Sequence, residues 1–212
     1  MIDQEDLLAM ADVAFCNQME HREKRSFKKT IDMVMGVYTR PGRYNGWLAI
    51  NLKPTSGLKD WLINLLCFGS IHLGYRLEFE AYFSDIFRMV LARPQEAQKG
   101  IIVSGRSKGG AEAIMLATYL FAAGYKLFAG AVEPPRAFGR KYAEQWERRF
   151  PVVSTCYKND IVPAWFPWYR TPGKVLQIGK RTNGWSIKDH KDSTEKEDLI
   201  YEGIDRACCN GG

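Results

Sequence analysis

The chain has 212 residues, 46% of them hydrophobic and 25% charged, with a formal net charge of +6. That length suits one domain spanning residues 1–212, with enough chain to bury a sizeable core. No apolar run reaches the roughly 18–20 residues of a membrane-spanning helix, and the acidic start Met1-Ile-Asp-Gln-Glu-Asp6 is not followed by the short apolar run of a secretory leader, so neither is expected.

Residues 3–20 place Leu7, Met10, Ala11, Ala14 and Phe15 near a 3.6-residue period, which predicts a helix. The densest basic patch follows, His21–Lys29, and reads as a solvated helix end and loop. Basic residues elsewhere are mixed with acids, as in Glu144-Gln-Trp-Glu147-Arg-Arg, so no nucleic-acid partner is expected from the charge. Met33–Tyr38 and Trp47–Leu52 flank the turn-rich Arg40–Gly46 and predict an antiparallel pair. Phe79, Tyr82, Phe83, Ile86, Phe87, Val90 and Leu91 form a helical stripe of core residues, stopped by Pro94. From residue 100 strands and helices alternate: strand Ile101–Ser104, helix Lys108–Ala123, strand Lys126–Val132, helix Arg136–Phe150, strands Val152–Tyr157 and Lys174–Ile178, and a closing helix Asp192–Arg206. Such alternation implies a mostly parallel sheet wrapped by helices, with reactive groups beyond the carboxyl ends of the strands. The cysteines (Cys16, Cys67, Cys156, Cys208, Cys209) are scattered without metal-ligand spacing. They read as free thiols in a reducing compartment, and hence predict a cytoplasmic protein.

The strand at Ile101 runs into Gly105-Arg-Ser107-Lys-Gly109 and then a helix. Gly-x-Ser-x-Gly in that context is a nucleophile elbow: a sharp turn projects the serine hydroxyl, and glycines two residues to either side let strand and helix pass closely. The turn also sets the Lys108 N–H at a helix N-terminus, ready for an oxyanion. A serine hydroxyl needs an imidazole base oriented by a carboxylate. His190 is the only histidine after Ser107 and is predicted in a loop before the last helix. Two acids end strands ahead of it, Asp160 and Glu133. Asp189 adjoins His190 too closely to orient its ring.

Together these residues resemble the class 3 (fungal-type) lipase family of the α/β-hydrolase superfamily, over about residues 47–205. Leu52-Lys-Pro-Thr55, four residues and Asp60-Trp61 are similar to the family's oxyanion segment, so the resemblance assigns the first oxyanion position to Thr55. His72-Leu-Gly74-Tyr75, Gly105-Arg-Ser-Lys-Gly-Gly-Ala111, Pro135-Arg136, Asn159-Asp160-Ile-Val-Pro163, Asp189-His190 and Tyr201 follow in the family's order. The Asn-Asp segment favours Asp160 over Glu133 as the acid. Four positions depart from the pattern: Pro54 and Glu133 replace glycines, and Arg106 and Lys108 replace the elbow's histidine and leucine. The two cations suggest an entrance that prefers an anionic head group.

The resemblance implies an α/β-hydrolase fold and a serine hydrolase that cleaves carboxylic esters, a lipase, esterase or phospholipase, without metal or organic cofactor. Ser107, Asp160 and His190 form the expected catalytic set, with Thr55 and Lys108 at the oxyanion. Only Leu62–Ile71 separate Trp61 from His72, so the lid of secreted members is expected to be short or absent and interfacial activation weak. Ile161–Tyr169 packs Trp165, Phe166, Trp168 and Tyr169 directly after the acid; with Arg106 these aromatics either contact the acyl chain, rest on a lipid surface, or form a rigid cover over the sheet end. A thioesterase or acyltransferase would use the same groups, and a pseudo-hydrolase serving as a binding module is the reading of another class.

Overall fold

The computed structural model describes residues 2–27, 31–54, 71–195 and 197–209. Helix α1 (Gln4–Ala14) and strands β1 (Met19–Phe27), β2 (Ile31–Tyr38) and β3 (Leu48–Pro54) open the chain, followed by helices α2 (Leu73–Leu91) and α3 (Pro94–Lys99). Next come β4 (Ile101–Gly105), α4 (Lys108–Ala122), β5 (Leu127–Ala131), β6 (Phe138–Gly139), α5 (Arg140–Glu147) and β7 (Val152–Tyr157). Strands β8 (Tyr169–Arg170) and β9 (Lys174–Ile178) and helices α6 (Ile187–Glu195) and α7 (Glu197–Cys209) complete it. Seven strands form one sheet in the order β1-β2-β3-β4-β5-β7-β9, and β6 pairs with β8 in a short ribbon. β1, β2 and β3 are antiparallel, whereas every pairing from β3 to β9 is parallel. The carboxyl ends of β4, β5, β7 and β9 therefore share one edge, the edge at which an α/β sheet holds its reactive groups.

Side chains alternate across the sheet with the period of two that a strand imposes. Leu48, Ile50, Leu52, Ile101, Val103, Leu127, Ala129 and Val152 enter one core with α2, α4 and α5. Ala49, Ile102, Phe128, Val153 and Ile178 enter the other, under α1 and α7. Both faces are covered, so the central strands read as continuous apolar runs. α1 begins with a reciprocal cap between Asp3 and Asp6 and carries two buried acids, Asp6 and Asp12. Asp12 accepts from Tyr38 Oη at 2.8 Å, Tyr201 Oη at 2.7 Å and the Arg40 guanidinium at 2.6 and 3.0 Å, which ties α1 to β2 and α7.

Three expected boundaries move. The first helix ends at Ala14, since Cys16 and Gln18 adopt left-handed backbone (φ 60° and 50°), and the basic patch beginning at His21 becomes the edge strand β1. Residues 20–26 are exposed there, and their charges suit an edge that must not pair with another chain. The helix expected from Arg136 starts at Arg140, because Phe138 and Gly139 pair with Arg170 and Tyr169. The closing helix divides in two and starts earlier, at Ile187.

Candidate active site

Ser107 sits between β4 and α4 at φ 52° and ψ −129°. A non-glycine residue in that region stores about 1–3 kcal/mol of strain, which its surroundings must hold. They do so by hydrogen bonds: Ser107 N–H donates to Val132 O at 2.8 Å and Val132 N–H to Gly105 O at 2.9 Å, locking the elbow to the end of β5. A Cβ on Gly105 would lie 2.4 Å from Leu52 O and 2.6 Å from Gly109 O, so the first glycine of the motif is required by the close passage of strand and helix. The Lys108 N–H occupies the first turn of α4, where the helix's own ladder supplies no acceptor.

Asp160 lies in the turn after β7, fully buried. Its N–H donates to Tyr157 O, its Oδ1 accepts from Val162 N–H at 2.8 Å, and it bridges backbone to backbone with Ser186. Ser186 then begins α6: its Oγ accepts from Asp189 N–H at 3.0 Å. Asn159 adds a clamp, with its N–H donating to Asp189 Oδ2 at 3.1 Å and its side chain bonded to Thr182. These contacts hold the start of α6 against the acid turn, and that placement delivers His190. The histidine stands in the first turn of a helix, not in a loop as the sequence suggested. Its Nδ1 lies 2.7 Å from Asp160 Oδ2 and its Nε2 2.9 Å from Ser107 Oγ. A carboxylate can only accept, so Nδ1 carries the proton and Nε2 faces the hydroxyl as acceptor.

Glu133, the other candidate acid, stands behind Asp160 rather than beside His190. It too has a left-handed backbone (φ 52°), which explains why a glycine fits the family pattern there. Its Oε2 accepts from Tyr157 N–H at 2.8 Å, whereas Oε1 finds no donor among the described residues, and the Asp160 carboxylate lies within hydrogen-bonding reach. Burial first, then Asp160, push the Glu133 carboxyl well above the usual carboxylate range. Two acceptors facing each other in a dry site need a proton between them. Glu133 is thus held as a neutral acid that donates to Asp160.

Of the remaining predicted residues, Lys108 is buried, and the Arg106 guanidinium packs over the Phe15 ring, 5.1 Å from its centroid. Phe166 lies over the buried His72 at 4.8 Å between ring centres and touches both Trp165 and Trp168. Burial holds His72 down to about 4, hence neutral. Thr55 and the shortened lid segment, except Ile71, lie outside the described residues, while Pro54 ends β3 opposite Ile31. Cys16 and Cys156 carry free thiols. Among the described residues no group of three or more His, Cys, Asp and Glu side chains is placed to hold a metal ion. Sequence reasoning missed Ser186, Asn159 and Glu133 as supports of the acid and base. The spacing Ser186-x-x-Asp189 is a helix-start signal that would have put His190 on α6.

The chain's fold is shared with solved lipases. Lipase II from Rhizopus niveus superimposes with a TM-score of 0.71 at 17% identity, over 88% of this chain and 91% of that one. The lipase of Rhizopus microsporus var. chinensis gives 0.66 at 16% identity, over 88% and 84%. The triacylglyceride lipase of Rhizomucor miehei gives 0.66 at 16%, over 88% and 90%. No curated protein sequence matches. The model of the class 3 lipase family matches residues 49–170, more than half of the chain, from the start of β3 through the elbow and the acid turn. On that match the chain belongs to the class 3 lipase family, within the α/β-hydrolase superfamily, and is a serine hydrolase of carboxylic esters.

Proposed function

We propose that Ser107, His190 and Asp160 carry out acyl transfer from a lipid ester to water. The carrying observation is the unbroken line of contacts, Ser107 Oγ to His190 Nε2 at 2.9 Å and His190 Nδ1 to Asp160 Oδ2 at 2.7 Å. In this reading His190 takes the Ser107 proton as the hydroxyl attacks the ester carbonyl, and Asp160 stabilises the imidazolium that forms. The tetrahedral oxyanion is met by the Lys108 N–H and by Thr55. His190 returns the proton to the leaving alcohol. Water, deprotonated by the same imidazole, then attacks the acyl-serine, releasing the carboxylic acid and regenerating Ser107.

The lipid nature of the ester is supported by the family and by the aromatic turn after the acid. Trp168 is 63% exposed there, with Phe166 and Trp165 behind it. A large exposed indole beside an ester-cleaving centre suits contact with an acyl chain or a lipid surface. A fluorophosphonate probe, which reacts only with an activated serine, tests the assignment. The wild-type chain is expected to label stoichiometrically, Ser107→Ala not at all, and His190→Ala far more slowly. Equal labelling of the wild-type and Ser107→Ala chains would show that another residue is the nucleophile.

A further inference from the structure

A cavity of about 650 Å³ opens at the carboxyl ends of β7 and β9, its walls including Asp160 but neither Ser107 nor His190. That volume lies in the range of small-molecule sites. Four arginines line it. Arg170 is taken by Glu144 at 3.5 Å and Glu147 at 2.8 Å. Arg136, Arg140 and Arg181 have no carboxylate partner among the described residues, and three like charges around one opening repel until an anion joins them. Arg136 and Arg181 line the same cavity as the Cys156 side chain of β7. In the same wall, Ser154 is 1% exposed, and its hydroxyl has no hydrogen-bond partner among the described residues. A buried hydroxyl without a partner in a cationic cavity is a donor in want of an acceptor. At the rim stand two indoles, Trp168 (63% exposed) and Trp185 (54% exposed), and the Arg181 guanidinium lies over the Trp185 ring at 4.6 Å. The cation–π contact orients that guanidinium.

We propose that this cavity is a second ligand site, adjoining the reaction centre through Asp160 but lined by neither Ser107 nor His190, that binds a phosphate monoester whose apolar body rests on Trp168 and Trp185. A phosphate monoester carries nearly two charges at neutral pH and three acceptor oxygens, which matches three guanidiniums without a carboxylate partner among the described residues and a hydroxyl better than a single carboxylate does. The site does not depend on the assignment of the nucleophile, and the test needs no turnover.

Tryptophan fluorescence and calorimetric titration of the full chain would be run with octyl phosphate, phenyl phosphate, inorganic phosphate and octanoate. Saturable binding of octyl or phenyl phosphate, tighter than inorganic phosphate and octanoate, is expected. Octyl phosphate binding tighter would indicate a lipid-derived ligand, and phenyl phosphate a soluble aromatic one. Arg136→Ala and Arg181→Ala, both at partly or fully exposed positions, should each weaken binding by at least about tenfold. Ser154→Ala should weaken it less, and prior reaction of Ser107 with a fluorophosphonate should leave it unchanged. The proposal is overturned if no titration saturates by roughly 10 mM, if octanoate binds as well as octyl phosphate, if neither arginine variant changes the affinity, or if blocking Ser107 abolishes binding.

Discussion

Asp12 and Glu133 are both carboxyls sealed from water, and their surroundings treat them in opposite ways. Asp12 meets a forked guanidinium and two phenol hydroxyls, four donors in all, so its negative charge is matched where it sits. Glu133 meets one backbone N–H, the Thr155 hydroxyl and the carboxylate of Asp160, with no cation among its hydrogen-bond partners, so it keeps its proton. Burial alone does not decide the charge of an acid; the donors that accompany it do. One carboxyl fastens helices to the sheet, whereas the other supports a third carboxyl that must stay ionised.

The largest expected effect separates the two acids at the site. Asp160→Asn should lower kcat by a factor on the order of 10³–10⁴, because the amide reverses the donor at His190 Nδ1. Glu133→Gln keeps a neutral donor to Asp160 and should leave kcat and the acid limb of the pH profile nearly unchanged. An acid limb that moves clearly to lower pH in that variant would mean that Glu133 is ionised. Next, Asp12→Ala should cost about 2–3 kcal/mol, toward the low end for a broken buried pair because Arg40 is partly exposed and can regain water. Urea melts would read it.

The smallest effects lie in the pH dependence of stability, and two groups act with opposite sign. The Glu133 carboxyl is raised above its ordinary 4.5, so the folded chain holds a proton that the unfolded chain releases. Its contribution is present below that value and lost as pH rises, and the Tm of Glu133→Gln should gain on wild type as pH is raised above 4.5. His72 is held down to about 4 from 6.5 by burial. Between those values the unfolded chain takes up a proton that the folded chain refuses, so stability falls on acidification, and His72→Phe should flatten that fall. Thermal melts at a series of pH values for both variants would check the pair.

The central strands and the elbow were legible because apolar runs, the Gly-x-Ser-x-Gly turn and the Asn-Asp segment are local patterns. β7 and β9 begin and end where expected, at Val152–Tyr157 and Lys174–Ile178. What local pattern could not show was tertiary override. Glu20–Ser26 has too little apolar character to read as a strand and is one only because β2 pairs with it. The position of Glu133 was visible, but not its protonation, since that depends on Asp160 arriving from 27 residues further along the chain. The cationic cavity was equally hidden: Arg136 and Arg140 lie in one short stretch, Arg181 lies 41 residues further along, and they share a wall only in the folded chain.

β1 joins the sheet by one ladder alone, and only its terminal residues, Met19 and Phe27, are buried, while the ladder slips between Glu20 and Glu23. Almost no apolar area resists its detachment, so its amides should exchange with solvent far sooner than those of β4 or β5. Fluctuations of that kind are confined to the margin farthest from β9 in the strand order, and the rim that carries Ser107 and Asp160 can remain rigid while the opposite margin breathes.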